Sequence, residues 1–203
     1  DVYKRQVLCC TPTEYRMMAK LSNLNDYHLE HLHSAVSAGE PLNREVVEQF
    51  KNNFNLTVRD GYGQTESTLL IGFLKDTEPR TGSMGKGIPG SFVTIIDDDG
   101  NEVPPQTKGN IAVPLDLPAL FKGYYKDEER TKAASAGDYY VTGDLAHKDE
   151  DGYFWFEGRR DDIIISSGYT IGPFEVEDAL TNHPAAVSYT HLRAHETGRH
   201  LVC

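Results

Sequence analysis

Apolar residues recur at helical spacing in two stretches early in the chain and in short, glycine-punctuated runs later. After Thr11-Pro12, Tyr15, Met18 and Leu21 fall three apart. This predicts a helix with Thr11 as N-cap and Pro12 at its first position. Its stripe faces a core, with Met17 as further filler. The run 32–38 predicts a buried strand ending at Gly39-Glu40-Pro41-Leu42. Val46, Val47, Phe50 and Phe54 share one stripe of a second helix over 43–54, and Leu56-Thr57-Val58-Arg59 predicts another strand. Strand, helix and strand in this order are α/β in character, and such folds hold ligands in loops at strand ends.

From Gly82 onward the texture changes. Glycines at 82, 85, 87, 90, 100 and 109 separate short apolar runs such as 92–96 and 110–113. The stretch 82–158 therefore reads as a β-rich subdomain, with one helix over 127–134 and three strands over 139–156. Asp97-Asp98-Asp99-Gly100-Asn101 is a tight turn that needs no metal to explain it. The charged Arg159-Arg160-Asp161-Asp162 then precedes a buried strand over 163–165 and a turn at Ser166-Ser167-Gly168-Tyr169. Pro173 opens a helix with Val176, Ala179 and Leu180 inward and Glu175 and Glu177 as first-turn acids. A domain boundary is expected at 158–162.

Bulk properties narrow the class. The 203 residues suffice for one domain or two small ones with a real core. A formal net charge of -11 argues against a general nucleic-acid or anionic-membrane surface, which needs basic patches. No apolar run approaches the roughly 18 residues of a membrane span. Cys9, Cys10 and Cys203 make neither a disulfide framework nor a zinc spacing, which fits a reduced, cytoplasmic setting. His28, His31 and His33 read as solvated residues between elements. His191 and His195 lie four apart in a tail without apolar periodicity, and read as no zinc site.

The densest chemistry lies in Asp60-Gly61-Tyr62-Gly63-Gln64-Thr65-Glu66. Two glycines let the backbone turn and a ligand come close. Tyr62 offers a ring for stacking, Thr65 a hydroxyl for a phosphate oxygen, and Glu66 a hard oxygen ligand for Mg²⁺. Read alone, the heptad is equally a polar strand-to-loop turn.

An ordered series follows the same direction: Gly39-Glu40-Pro41, Tyr62-Gly63-Gln64-Thr65-Glu66, Gly82-Ser83-Met84-Gly85-Lys86, Gly123-Tyr124-Tyr125, Thr142-Gly143-Asp144, Gly158-Arg159-Arg160-Asp161-Asp162 and Pro173-Phe174-Glu175-Val176-Glu177. The series resembles the adenylate-forming superfamily of acyl-CoA synthetases, peptide-synthetase adenylation domains and luciferases, over about 7–187. Cys10-Thr11-Pro12-Thr13-Glu14-Tyr15-Arg16-Met17 and Ser167-Gly168-Tyr169-Thr170-Ile171-Gly172-Pro173 look most like the medium-chain acyl-CoA synthetase branch. The resemblance implies an α/β plus β architecture. Residues 7–160 would be the latter part of the large AMP-binding domain, with α/β layers and a small β-barrel subdomain. Residues 161–187 would be the hinge and the start of a small α+β C-terminal domain, and 1–6 and 188–203 non-native flanks.

The implied reaction adenylates a short or medium-chain carboxylic acid with ATP, then passes the acyl group to coenzyme A. Glu66 would be the Mg²⁺ ligand and Thr65 the phosphate-contacting hydroxyl. Gly39, Glu40 and Pro41 would form one wall around adenine, with Tyr62 the other; Asp60, Gly61 and Gly63 belong to the same nucleotide site. Asp144 would accept from the ribose hydroxyls, Arg159 would hold the ribose side, and Asp161 would be the hinge. Asp144 as a plain turn residue and Arg159 as half of a surface ion pair remain the alternatives; Trp155 reads as core. A Ser/Thr/Gly-rich loop ending in Pro-Lys upstream and a C-terminal lysine in a Gly-Lys context, which the family uses, do not occur in this chain, and Gly82-Ser83-Met84-Gly85-Lys86 does not substitute for the loop. A carrier-loading adenylation domain and an inactive nucleotide-binding module are the other functional readings.

Overall fold

The computed structural model describes residues 6–162, 164–166, 169–171 and 176. The early elements are β1 (Val7–Cys10), α1 (Pro12–Ala19), β2 (Ser34–Ala38), α2 (Arg44–Phe54), β3 (Val58–Gln64), β4 (Thr68–Gly72) and β5 (Gly85–Gly87). After them come β6 (Thr94–Ile96), β7 (Gly109–Pro114), α3 (Glu128–Ala133), β8 (Ser135–Ala136), β9 (Tyr139–Lys148), β10 (Tyr153–Arg159), β11 (Ile164–Ser166) and β12 (Tyr169–Ile171). The chain divides into two compact units. The first is Asp1–Val93 with Asp116–Lys122 and Asp149–Trp155; the second is Thr94–Leu115 with Gly123–Lys148 and Phe156–Cys203.

In the first unit β1, β2 and β3 run parallel, which requires crossover connections, and α1 and α2 supply them. Then β4 pairs antiparallel with β3, β5 with β4, and the first residues of β10 with β5. Thr11 starts α1 with a reciprocal capping box: its side chain accepts from the Glu14 amide, and the Glu14 carboxylate accepts from the Thr11 amide. Tyr15 is fully buried and packs edge-on against Phe50 of α2, ring centroids 5.1 Å apart. Its hydroxyl donates to the carbonyls of Leu8 and Val36, both at 3.1 Å, tying α1 to β1 and β2. Burial pushes its phenol well above the ordinary range. Ala35, Leu42, Val46, Val47, Leu56 and Val58 complete this core.

The second unit is an antiparallel array of β6, β7 and β9, with β8 on β9. Its core lies on β7, where Ile111, Ala112 and Val113 are fully buried. Separately, β11 pairs antiparallel with β12.

Several expectations change. Leu21 is exposed because α1 ends at Ala19, before the stripe reaches it. Met17 is 69% exposed, since it stands two residues from Tyr15 and so on the opposite side of the helix. The strand expected over 32–38 is the shorter β2, and it alternates half-buried with buried positions. The 92–96 run begins as a strand only at Thr94; Phe92 is exposed and lies at φ 49. Two strands, not three, occupy 139–156, because Thr142-Gly143-Asp144 bulges within β9 rather than ending it. Apart from Val176, the helix expected from Pro173 lies outside the described residues, as do the side chains of 163–165 and the tail.

Candidate functional site

Parallel pairing aligns Ser37 with Asp60 and Ala38 with Gly61. Gly39-Glu40-Pro41 therefore leaves β2 beside the Gly61-Tyr62 stretch of β3, at the carboxyl end of adjacent parallel strands. This is where α/β sheets hold ligands. The heptad is not the loop expected from its glycines: β3 runs through Gln64, and only Thr65, Glu66 and Ser67 make the turn into β4. Gly63 is required there by close approach, since a Cβ would run into the Thr68 carbonyl.

That turn is tightly held. The Ser67 amide donates to the Gln64 carbonyl at 3.0 Å, and the Gln64 amide to the buried Ser67 hydroxyl at 3.3 Å. The Phe121 amide donates to the Glu66 carbonyl at 2.7 Å. Thr68, a β-branched residue, sits at φ 60, a strained conformation that its surroundings must enforce. Thr65 is exposed at the tip and Glu66 half-buried. Their hydroxyl and carboxylate are hard oxygen donors of the kind Mg²⁺ takes alongside phosphates and waters. Among the described residues no cluster of three or more His, Cys, Asp or Glu could hold a metal by itself.

Asp60 lies on β3 and accepts from the Gly61 amide at 2.9 Å. Loss of solvent around its carboxyl pushes its pKa from 3.8 up to about 7, against the pull of the Gly61 and Leu42 amides. The folded chain thus keeps the Asp60 proton to about pH 7, whereas the unfolded chain releases it near pH 4. On this account stability falls as pH rises between those values and is level above them. Asp60→Asn is expected to flatten the fall in Tm between about pH 4 and 7; an unaltered pH profile would remove Asp60 as its source.

In the second unit the β9 bulge turns Asp144 inward. Gly143 takes φ 79, and Thr142 donates to the Ile111 carbonyl at 3.0 Å while accepting from the Asp144 amide at 3.2 Å. The Asp144 side chain is 7% exposed and stands 3.6 Å from the guanidinium of Arg159 at the end of β10, which is half exposed. The plain-turn alternative for Asp144 does not describe this position. Asp161 is exposed on the 3₁₀ turn Arg160–Asp162. Trp155 is half-buried, and its Nε1 donates to Asp149 at 3.1 Å.

Sequence reasoning missed the side chains that hold these groups. Thr13 and Arg16 of α1 reach Glu40, and Ser67 organises the turn. Ser67 adjoins the motif and could have been suspected. No local pattern announces Arg16, whose partners lie 24 and 27 residues away.

Two parallel strands with a glycine loop at one carboxyl end and an aromatic, hydroxyl and carboxylate series at the other mark an α/β protein whose strand ends suit a ligand. Residues 1–125 match the AMP-binding enzyme family, and the chain belongs to that family. It is 65% identical over 182 residues to an uncharacterized acyl–CoA ligase, YtcI, of Bacillus subtilis (strain 168), covering 90% of this chain and 34% of that protein. It is 45% identical to the mitochondrial acyl-coenzyme A synthetase ACSM5 of Rattus norvegicus, over 89% of this chain and 32% of that one. The anthranilate CoA ligase AuaEII, solved with anthranoyl-AMP, superposes with a TM-score of 0.82 at 30% identity, over 91% of this chain and 35% of that one. The chain thus spans about a third of the length of the curated relatives it matches.

Proposed function

We propose that the chain is the nucleotide-binding segment of an ATP-dependent acyl-CoA synthetase acting on a short or medium-chain carboxylic acid. The observation that carries the reading is the placement of Gly39-Glu40-Pro41 and Asp60–Glu66 at one end of the parallel pair β2 and β3. Residues 7–160 would be the latter part of a large adenylate-forming domain with a β-barrel subdomain around 82–158. Residues 161–187 would be the hinge and the opening of a small domain. Free Cys9 and Cys10 suit a reducing compartment, the cytoplasm.

In the first half-reaction a carboxylate oxygen attacks the α-phosphorus of ATP; the bond to the β-phosphate bridge breaks, and pyrophosphate leaves. The thiol sulfur of coenzyme A then attacks the acyl carbonyl, loses its proton, and AMP leaves. Charge grows on phosphate oxygens and then on the carbonyl, so positioning and electrostatic stabilisation are what the chain must supply. Tyr62 stacks on adenine against the Gly39–Pro41 wall, and Asp60, Gly61 and Gly63 form the strand beside it. Thr65 donates to a phosphate oxygen. Asp144 accepts from the ribose hydroxyls, and Arg159 holds the ribose side of the nucleotide. Glu66, with Thr65 next to it, would hold Mg²⁺, which neutralises charge on the phosphates when bound.

Asp161 is the hinge about which the small domain would turn between half-reactions. The two steps can be assayed apart, as acid-dependent ATP–pyrophosphate exchange and as thioester formation from preformed acyl-adenylate. The full-length protein is expected to perform both, with Asp161→Pro depressing them unequally. Nucleotide binding without either turnover would replace the ligase with an inactive binding module.

A further inference from the structure

Glu40 belongs to the proposed adenine wall, yet its carboxylate is already engaged. Thr13 donates to its Oε2 at 2.8 Å, and Arg16 Nη2 lies 3.0 Å from the same oxygen. Arg16 Nη2 also donates to the Thr13 hydroxyl at 2.7 Å, so the three groups close on one another. The other arm of the guanidinium, Nη1, donates to Asn43 Oδ1 at 2.8 Å. One arginine of α1 thereby grips both ends of the segment from Glu40 to Asn43.

Asn43 shows that this grip displaces an ordinary interaction. It occupies the N-cap of α2 with extended backbone, where asparagine is favoured because its oxygen can accept from the first turn. Its side chain makes no capping bond and gives that oxygen to Arg16 instead, although the residue is only 3% exposed. A locally favoured interaction forgone at a ligand-bearing strand end is a mark of a functional constraint. Stability alone gives a weak account of the contact. Arg16 and Glu40 side chains are 29% and 45% exposed, and ion pairs so wet contribute little.

We propose that Arg16, with Thr13, is a positioning residue for nucleotide binding: it staples Gly39-Glu40-Pro41 in the conformation that receives the adenine ring. The inference rests on the reading of that segment as the adenine wall. Glu40 then contributes its backbone and its stem, while its charge is consumed by α1. Arginine is needed because only its planar fork reaches two acceptors at once, which a lysine ammonium cannot do in the same geometry.

The test is steady-state kinetics and thermal unfolding of Arg16→Ala, Arg16→Lys, Glu40→Gln and the Arg16→Ala/Glu40→Gln double variant in the full-length protein. Arg16→Ala is expected to raise the KM for ATP by roughly tenfold, the scale of one charge-assisted hydrogen bond. The kcat, the KM for the acid and the Tm should change little. Arg16→Lys should fall between, and the double variant should be no worse than the worse single one, since both break the same contact. If Glu40→Gln raises the KM for ATP and Arg16→Ala does not, the staple is overturned and the wall stands. If neither moves it, the staple is overturned, while the wall, which Glu40 serves with backbone and stem that both variants keep, is left standing. A parallel loss of kcat, acid affinity and Tm in both Arg16 variants would make the contact structural and overturn the proposal.

Discussion

Glu66→Ala is expected to lower acid-dependent ATP–pyrophosphate exchange of the full-length protein by roughly 10²- to 10³-fold, the scale on which a preorganised electrostatic contact to the reacting group is lost. The size of the effect follows from how firmly the turn is held. Its backbone is fixed on three sides, by the Gln64 carbonyl, the Ser67 hydroxyl and the Phe121 amide. Thr68 is forced to φ 60 directly behind it. A carboxylate presented on so constrained a backbone cannot be replaced by a neighbour swinging in, and the exposed Thr65 beside it carries no charge. Glu66→Asp shortens the reach but keeps the charge, so it should retain more exchange than the alanine variant. The side chain is only half-buried, so the Tm should barely respond in either case. Exchange close to the unsubstituted level in Glu66→Ala would end the metal-ligand assignment.

The same turn shows what the sequence could and could not convey. Gly61 and Gly63 marked the heptad as a place of close backbone approach, and Gly63 does lie against Thr68. That the strand continues through both glycines depends on its pairing with β4, a contact with residues 68–72 that no local pattern contains. Thr68–Gly72 supply that strand. The α1 stripe was legible through Tyr15 and ran out at Leu21 because the helix stops first. Glycine misled at Thr142-Gly143-Asp144 for a related reason. A positive φ can end a strand or bulge it, and the antiparallel pairing with β7 decides for the bulge. The α/β order of β2, α2 and β3 was legible because each element carries its own periodicity. Side-chain alliances across the fold, such as Arg16 with Glu40 and Asn43, carry none.

Asp144 is the second place where a large effect is expected, and its environment says why. The bulge places a carboxylate 7% exposed beside a guanidinium that is half in solvent, at 3.6 Å rather than at tight hydrogen-bonding distance. Taking a charge out of water is costly, and every donor aimed at this carboxylate offsets part of that cost. Two hydroxyl donors of a ribose would supply more, which is the physical case for sugar recognition here. Hydrogen bonds to a charged acceptor contribute about 1.5–3 kcal/mol each, so Asp144→Ala should raise the KM for ATP by roughly 10- to 100-fold. Asp144→Asn preserves shape and one acceptor, and should lose less. The decisive comparison uses 2′-deoxy-ATP. The unsubstituted protein should bind it several-fold more weakly than ATP, whereas Asp144→Ala should treat the two alike, because the acceptor that told them apart is gone. An Asp144→Ala variant that still favours ATP to the same degree would remove the ribose assignment from the bulge carboxylate.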